Sequence, residues 1–370
     1  VTTLDARLDA FGRLAREQWR DVLDHHTQRD GPHAWYAQQP GHARTVRAWC
    51  DAVEIAAMFG APPPLDTPDA LVTRLQGFQD ELTGLFPDPW HPPEPHVDPW
   101  TLGDHLSRYH LLAVGYALEL LGARPERKVH AVAELTPQAL TACLDTLDWR
   151  EGAWGAGDWI DAYGTGTYLN LRYFGDAGAL DTLMGWLTRR ADPRTGTWGR
   201  PTTREGLLQP VNGFYRLTRG TYAQFGLPLP YPERTVDTVL THTRDRRFFR
   251  DDRGNACNVL DVVHPLWLCA RQSGWREGDA RDWAAAQLER VLRGWTNGQG
   301  FSFELERGPT PTRRPSLQGT EMWLSIAWLL ADVLGASSAL VYVPRGVHRP
   351  EPAWLLAGRD DTHPTAPETR

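Results

Sequence analysis

The chain is poor in cysteine, and its four cysteines form none of the closely spaced pairs of a zinc ribbon or a disulfide framework. They lie far apart, at Cys50, Cys143, Cys257 and Cys269. A fold held together by disulfides is therefore excluded. Cys257, Asp261 and His264 are residue types that bind zinc, but no second group of ligands accompanies them. We therefore expect no metal ion and no other cofactor.

Long apolar runs and an excess of basic residues are also missing. No apolar run reaches the roughly 18 residues that a membrane span needs. Lys and Arg number 39 against 46 Asp and Glu, and the net charge of −7 argues against a general nucleic-acid binder. The sequence opens at Val1 without a basic and then apolar leader. This favours a cytoplasmic protein, with secretion or a periplasmic location left open if a leader was removed.

Strand-forming patterns are nearly absent, and the best of them is the apolar run 339–343. What the chain has instead is a repeat. Six helix-like segments each end in a glycine, at intervals of 48 to 62 residues. Glycine after a helix end is typical of a left-handed cap. The six glycines are Gly60, Gly122, Gly175, Gly226, Gly274 and Gly335.

Two kinds of helix alternate along this repeat. Segments such as 106–121 and 322–334 are apolar on nearly every side, which is typical of a helix buried on several faces. Others carry a single apolar stripe, as 68–85 does with Leu71, Leu75, Phe78 and Leu82, and these we expect at the surface. The segments 4–25, 232–243 and 279–294 complete that one-sided set.

About twelve helices in six hairpins predict an all-α fold, an (α/α)6 toroid with an inner and an outer ring of helices. We expect residues 1–340 to form this single domain and residues 341–370 to form a C-terminal tail that drapes over it or frays. An α-solenoid or an irregular helical domain is the alternative architecture.

Tryptophan is abundant, with 17 residues, and seven of them fall in long loops that lead from an outer into an inner helix. We call these segments the rim loops: 28–43, 86–101, 148–158, 192–210, 244–257 and 295–317. Aromatic rings repeated around one rim favour stacking on sugars or stabilisation of cations. The alternative is that they close the mouth of the ring as a small core. The seven are Trp35, Trp90, Trp100, Trp149, Trp154, Trp198 and Trp295.

Polar residues recur near the start of each inner segment, where an otherwise apolar helix would not favour them. Helix capping accounts for Asp104 and Asp158. It does not account for residues that lie further into the helices, and buried carboxylates are costly unless they are paired or functional. That second group contains Asp161, Asp261, His264 and Glu321.

Asp158 and Asp161 stand three residues apart, so both carboxylates share one face of a helix, and glycines flank them. Neighbouring carboxylates split their pKa values into an acid and a base, as glycoside cleavage requires. The alternative is a cap and a buried, hydrogen-bonded aspartate. Asp261 and His264 have the same spacing and predict either an aspartate-oriented general acid/base or a structural hydrogen bond; Pro265 is expected to kink the helix there.

Three local segments resemble the six-hairpin glycosidase superfamily, which includes unsaturated glucuronyl and rhamnogalacturonyl hydrolases and related toroidal lyases. Residues 159–161 (Trp-Ile-Asp) are similar to the aspartate-bearing inner helix of those hydrolases. Residues 192–198 are similar to their aromatic loop, and Asn212-Gly213 follows it. The resemblance implies a toroid over about residues 1–340 and Asp161 as the acid/base. The chain departs from the pattern at residues 199–201, where a histidine-bearing run is expected.

We therefore predict an enzyme that cleaves a glycosidic bond of a small saccharide or oligosaccharide in a tryptophan-lined cleft, by hydrolysis or by elimination on uronates. Asp161 leads, and the further catalytic candidates are Asp158, Asp261, His264 and Glu321. A lyase would instead need a base such as Tyr215 or His264. Cations for a uronate carboxylate are Arg47, Arg108 and Arg200. The substrate-binding candidates are Trp35, Trp154, Trp198, His105, Asp104, Arg108, Asn212, Tyr215 and Gln318.

Two other classes stay open. The segment 298–301 (Gly-Gln-Gly-Phe) looks like the glycine–aromatic loops of terpenoid cyclases and prenyltransferases, although no DxDD or DDxxD run is present. A non-catalytic toroid that binds a saccharide or a peptide is the third interpretation, and it predicts that the rim carboxylates can be neutralised without loss of function.

Overall fold

The computed structural model describes residues 3–95, 97–250, 252–306 and 313–356, and these residues are mostly helical. The described part of the chain contains thirteen α-helices and four short strands. The helices are α1 Leu4–His25, α2 Val46–Met58, α3 Pro68–Gln76, α4 His105–Leu120, α5 His130–Ala133, α6 Pro137–Thr146, α7 Ala153–Phe174, α8 Leu180–Arg190, α9 Leu208–Thr218, α10 Pro232–His242, α11 Ala256–Ala270, α12 Glu277–Val291 and α13 Leu317–Val333. The strands are β1 Thr27–Asp30, β2 His33–Tyr36, β3 Arg253–Asn255 and β4 Glu304–Glu306.

Six of the helices contact one another in sequence order. Helix α2 packs on α4, α4 on α7, α7 on α9, α9 on α11, α11 on α13, and α13 returns to α2. We call these six the inner helices, and most of their residues are buried. Helices with a single apolar stripe lie against them: α3 packs on α4, and α12 packs on α13. The all-α class is thus confirmed. Within the described residues, no helix has the length and apolar character needed to cross a bilayer.

The predicted glycine caps are confirmed at five of the six positions. Gly60, Gly122, Gly175, Gly226 and Gly335 all have positive φ, between 64° and 77°. Gly274 does not, and the prediction is wrong there. Helix α11 ends earlier, and the N–H groups of residues 272 and 273 already complete its last turn by donating to the Cys269 carbonyl.

The helix predicted over 68–85 is shorter than expected. Thr67 caps its start, but α3 ends at Gln76. The Asp80 carboxylate accepts the backbone N–H groups of Leu82 and Thr83, which fixes a turn in place of a helix. Leu82, predicted to lie on the apolar stripe, is 76% exposed.

The run 339–343 forms no strand. Tyr342 is buried and donates its hydroxyl to the Leu324 carbonyl, and Val341 packs against Gly12 of α1. The strands that do form lie in the rim loops: β1 pairs with β2 as a hairpin, and β3 pairs with β4 across two loops.

Residues 344–356, which we call the C-terminal strap, lie against the inner helices. The backbone N–H of Val347 donates to Glu54, and Arg349 donates to Glu119. Further along, the N–H of Trp354 donates to the Gln224 carbonyl. This part of the predicted tail is therefore packed in place. Residues 357–370 of that tail lie outside the described residues.

Helices α7 and α9 approach more closely than side chains would permit. A Cβ atom on Gly157 would overlap the Gly213 carbonyl of α9, and one on Gly164 would overlap the carbonyl of Gly220, in the π-helical turn Arg219–Ala223 that continues α9. Both pairs are separated by the same interval in sequence, so the two helices run side by side in parallel register. Glycine is required at these positions because the backbones themselves are in contact.

Gly164→Ala tests this contact. The added methyl group pushes apart two packed backbones, and we expect the free energy of unfolding to fall by about 1–3 kcal/mol. Gly155→Ala is the matched control, because it adds the same group to the same helix with no atom within 4 Å. We expect it to be neutral or mildly stabilising. Urea unfolding of both variants measures the difference, and equal effects would contradict the backbone contact.

Candidate functional site

The inner helices bury charged and polar side chains that act on one another across the space between them. Arg47 on α2 lies within electrostatic reach of Glu321 on α13, and Arg216 on α9 lies within reach of Asp261 on α11. Several buried atoms of this group have no hydrogen-bond partner among the described residues. They are Arg47 Nε, Asp161 Oδ1, both amide atoms of Asn212, Asp261 Oδ2, His264 Nδ1 and Glu321 Oε2.

Such unpartnered atoms come from five of the six inner helices, and they identify the polar interior as the candidate site. A buried polar atom without a partner costs free energy unless water or a ligand satisfies it. A few such atoms per hundred residues are ordinary in a folded protein. A concentration of them inside one set of helices is typical of a place where a ligand binds.

Asp158 is the centre of an ion-pair cluster formed by α4, α7 and α9. Its Oδ2 accepts from Arg108 Nε at 2.7 Å and lies 3.1 Å from His105 Nδ1, and its Oδ1 accepts from Arg216 Nη1 at 2.8 Å. Burial alone would raise the pKa of Asp158. The hydrogen bond with His105 and the charges of Arg216 and Arg108 outweigh burial, and together they hold this pKa well below its ordinary value. The carboxylate is therefore ionised throughout the physiological range.

Asp161 lies one turn further along α7, in a second ion pair. Its Oδ2 accepts from Arg219 Nε at 3.0 Å, and Arg219 Nη1 donates to the Tyr215 hydroxyl at 2.8 Å. Burial raises the pKa of Asp161, and the Arg219 charge only partly opposes this. The pKa values of Asp158 and Asp161 are thus shifted in opposite directions, but the mutual repulsion that their spacing predicts is not the main cause of this splitting. Its main causes are burial and the number of cations around each group, with a smaller contribution from the charge of Asp158.

The capping prediction is confirmed for Asp104 and wrong for Asp158. Asp104 Oδ1 accepts the backbone N–H of Ser107 at 2.7 Å and caps α4. Helix α7, however, begins at Ala153, so Asp158 already lies more than one turn inside it. The carboxylate cannot reach the free N–H groups of the helix start, and it pairs with arginines instead.

Asp261 and His264 form no hydrogen bond with each other, so both interpretations of that pair are wrong. The His264 ring packs edge-on against Tyr215, with centroids 5.1 Å apart. Burial lowers the pKa of His264 to about 3, and burial raises that of Asp261 well above its ordinary range. Helix α11 continues through Pro265, which has no N–H to donate to the Asp261 carbonyl.

Glu321 lies apart from the aspartate clusters, beside the C-terminal strap. Its Oε1 is 2.7 Å from Nδ1 of His348 and accepts from the Ser325 hydroxyl at 3.2 Å. Glu54 of α2 completes this group. Burial raises the pKa of Glu54, and the charge of Glu321 raises it further.

The rim tryptophans divide into exposed, half-buried and buried rings, and Trp90 and Trp100 are the exposed ones, at 38% and 42%. The half-buried rings of Trp35 and Trp154 lie under the guanidinium groups of Arg44 and Arg216, at 4.0 and 5.9 Å. Trp198, by contrast, is buried between helices, where its N–H donates to the Leu187 carbonyl. Trp149 and Trp295 also pack against other aromatic rings. The rim therefore offers fewer stacking surfaces than the seven predicted.

Two of the remaining substrate-binding candidates lie at the edges of these clusters. Asn212 is fully buried near the start of α9 with its amide group unpartnered. The backbone N–H of Gln318 donates to Gln38, and Gln38 in turn donates to Asp51. Gln318 is thus linked to α2 rather than to the Asp158 cluster.

Arg216, Arg219 and His348 belong to the interior and were not predicted. A signal for the two arginines was present, because their spacing of three repeats that of Asp158 and Asp161 inside an equally apolar segment. His348 had no such signal, since it lies outside the helical repeat.

Comparisons with protein-family models, curated proteins and solved structures find no match to this chain. Its function is therefore inferred from the arrangement of its side chains.

The buried Asp261 makes stability depend on pH. Above the ordinary aspartate pKa of about 3.9, the unfolded chain releases this proton while the folded chain keeps it. Its contribution therefore lowers the free energy of unfolding as pH rises, by up to about 1.4 kcal/mol per pH unit. We expect Asp261→Asn to have a shallower pH dependence than the wild type in urea unfolding. Asp282→Asn, an exposed change on α12, is the control and should follow the wild type; a parallel profile for Asp261→Asn would contradict the assignment.

Proposed function

We propose that the chain is an (α/α)6 toroid that cleaves acidic saccharides by β-elimination at the mouth of its inner ring. The cyclic order of contacts among the six inner helices supports the toroid. The long rim loops, with the Asp158 cluster beside them, support a site at the end of the ring where these loops lie. The six-hairpin glycosidases and toroidal lyases are the class that this arrangement resembles.

The observation that carries the proposal is the pairing of His105 with Asp158. The side chain of His105 is 61% exposed, while the carboxylate that binds its Nδ1 is buried and ionised. A carboxylate in this position fixes the imidazole tautomer and leaves Nε2 as the basic nitrogen. This gives an oriented general base at the surface of the site.

Elimination is favoured over hydrolysis because the carboxylates are already engaged. Both oxygens of Asp158 accept hydrogen bonds from cationic groups, and one oxygen of Asp161 is bound by Arg219. A glycosidase needs one carboxyl group that donates a proton and a second that is free to attack or to activate water. Asp158 is held in its ionised form, so it is a poor proton donor, and Asp161 is buried behind it.

An elimination also needs a cation that neutralises the substrate carboxylate. Arg108 and Arg47 are partly exposed. Each has N–H donors beyond those that pair Arg108 with Asp158 and the Gly103 carbonyl, and Arg47 with Asp51 and Tyr109. Guanidinium groups bind carboxylates through two parallel hydrogen bonds. Arg200, the third cation predicted for this role, lines a separate pocket with Trp149.

In the proposed reaction, His105 both removes and returns the transferred proton, so no second acid or base is needed. Its Nε2 removes the proton from the carbon next to the uronate carboxylate, and Arg108 stabilises the negative charge that develops on that carboxylate. The electron pair forms the carbon–carbon double bond as the bond to the glycosidic oxygen breaks. The imidazolium returns its proton to that oxygen, and the Asp158 charge stabilises the imidazolium between the two transfers.

Ultraviolet absorbance of the unsaturated uronate product tests the proposal on a panel of uronate-containing oligosaccharides. We expect His105→Gln to lower kcat by about 10²–10⁴-fold, the range of general base catalysis. Asp158→Asn should also lower kcat, because the tautomer is no longer fixed. His130→Gln on the short helix α5 is the matched control and should keep full activity.

Three outcomes would count against elimination. Saturated reducing ends without an ultraviolet signal would indicate hydrolysis. Saccharide binding without turnover, unchanged in His105→Gln, would favour a non-catalytic toroid. Unchanged turnover in His105→Gln would remove the assigned base.

A further inference from the structure

A second group of titratable side chains lies away from the Asp158 cluster, where the C-terminal strap meets α2 and α13. Glu54, Glu321 and His348 each offer one donor atom here, and the three atoms lie within 4.8 Å of one another. All three side chains are buried, with at most 5% exposed. They come from parts of the chain that are distant in sequence, so the fold itself assembles the group.

We propose that Glu54, Glu321 and His348 form a site for a zinc ion that fastens the C-terminal strap to the inner helices. Two carboxylate oxygens and one imidazole nitrogen are ligands that zinc prefers, and three protein ligands with one further position is a common zinc arrangement. Magnesium instead favours six oxygen ligands in octahedral geometry. The site is independent of the elimination proposed above, which uses none of its residues.

An unpartnered oxygen supports a ligand at this position. Glu321 Oε1 already binds His348 and Ser325, but Oε2 is buried and has no hydrogen-bond partner among the described residues. Buried carboxylate oxygens are rarely left in this state. A cation between Glu321 and its neighbours would satisfy that oxygen.

The charges around the group also favour a cation. Two carboxylates face one imidazole, and one donor atom of each lies within 4.8 Å of the others. Arg47, whose charge acts on Glu54, is already engaged with Asp51 and Tyr109.

The backbone of the strap is shaped to reach this position. Gly346 has φ of +66°, and a Cβ atom there would overlap the Glu54 carboxyl group. The absence of a side chain lets the strap lie directly on Glu54, where the Val347 N–H donates to Oε2 at 3.0 Å. His348 follows one residue later and so lies over Glu321.

Elemental analysis and cobalt substitution of the full chain test the site. After removal of metals with a chelator and incubation with zinc chloride, we expect one zinc ion per chain and a higher Tm. Cobalt chloride in place of zinc should give the visible absorption bands of a low-coordinate cobalt site. Both signals should be lost in His348→Gln and in Glu321→Gln, with circular dichroism confirming that each variant is folded.

Glu119→Gln is the matched control, because it removes another ion pair of the strap, that with Arg349, and leaves the three donors intact. It should retain one zinc ion per chain. The proposal is overturned if the wild type binds no zinc, or if His348→Gln or Glu321→Gln binds it as the wild type does. A loss of zinc in Glu119→Gln equal to that in His348→Gln would likewise show that the strap, and not this donor set, governs binding. If either glutamine variant fails to fold, cobalt absorption of the wild type alone decides, since a proton-sharing cluster gives none.

Discussion

The contact between α7 and α9 is the constraint on which the rest of the site depends. Glycines at matching positions let the two backbones touch, and this sets both the distance between the helices and their register. In that register Asp158 faces Arg216 and Asp161 faces Arg219, each pair being separated by the same interval in sequence. A shift of one residue would turn both carboxylates away from their cations and leave buried charges unpaired, which is far more costly than the loss of a surface ion pair.

Burial also determines which of the interior side chains carry a charge. Carboxylates with several cationic partners stay ionised, as Asp158 does, whereas Asp261 has no ion pair among the described residues and holds its proton. His264 is kept neutral by the same burial. The charge of each interior group is therefore set by the number of cationic partners that oppose the effect of burial.

The C-terminal strap closes the structure through polar contacts rather than through a long helix or a sheet. Its backbone and side chains reach Glu54 on α2, Glu119 on α4 and Gln224, which follows α9. Because each of these contacts involves a buried or half-buried polar group, the strap stabilises the inner helices only while all its partners are correctly placed. That dependence links the order of the strap to the packing of the inner helices.

Much of the fold could be predicted from the sequence. The apolar period separated buried from surface helices, and five glycine caps and the starts of the segments predicted at 68 and 232 were correct. The errors were local. The 68–85 helix was cut short by the Asp80 turn, and the run 339–343 packs as an irregular segment because Tyr342 and Val341 are held by α13 and α1. The order in which the inner helices contact one another could be read only from the structure.

The site was predicted by residue type more than by role. The sequence by itself determined which polar side chains lie among apolar ones, and so picked out Asp158, Asp161, Asp261, His264 and Glu321, because the cost of burying such groups is a property of the residue and its helical period. Only the tertiary structure decided their partners: arginines for Asp158 and Asp161, the Tyr215 ring for His264, and His348 for Glu321, while Asp261 has no ion pair among the described residues. Partnership depends on helix register and on chain segments far apart in sequence, and neither is encoded in the local pattern.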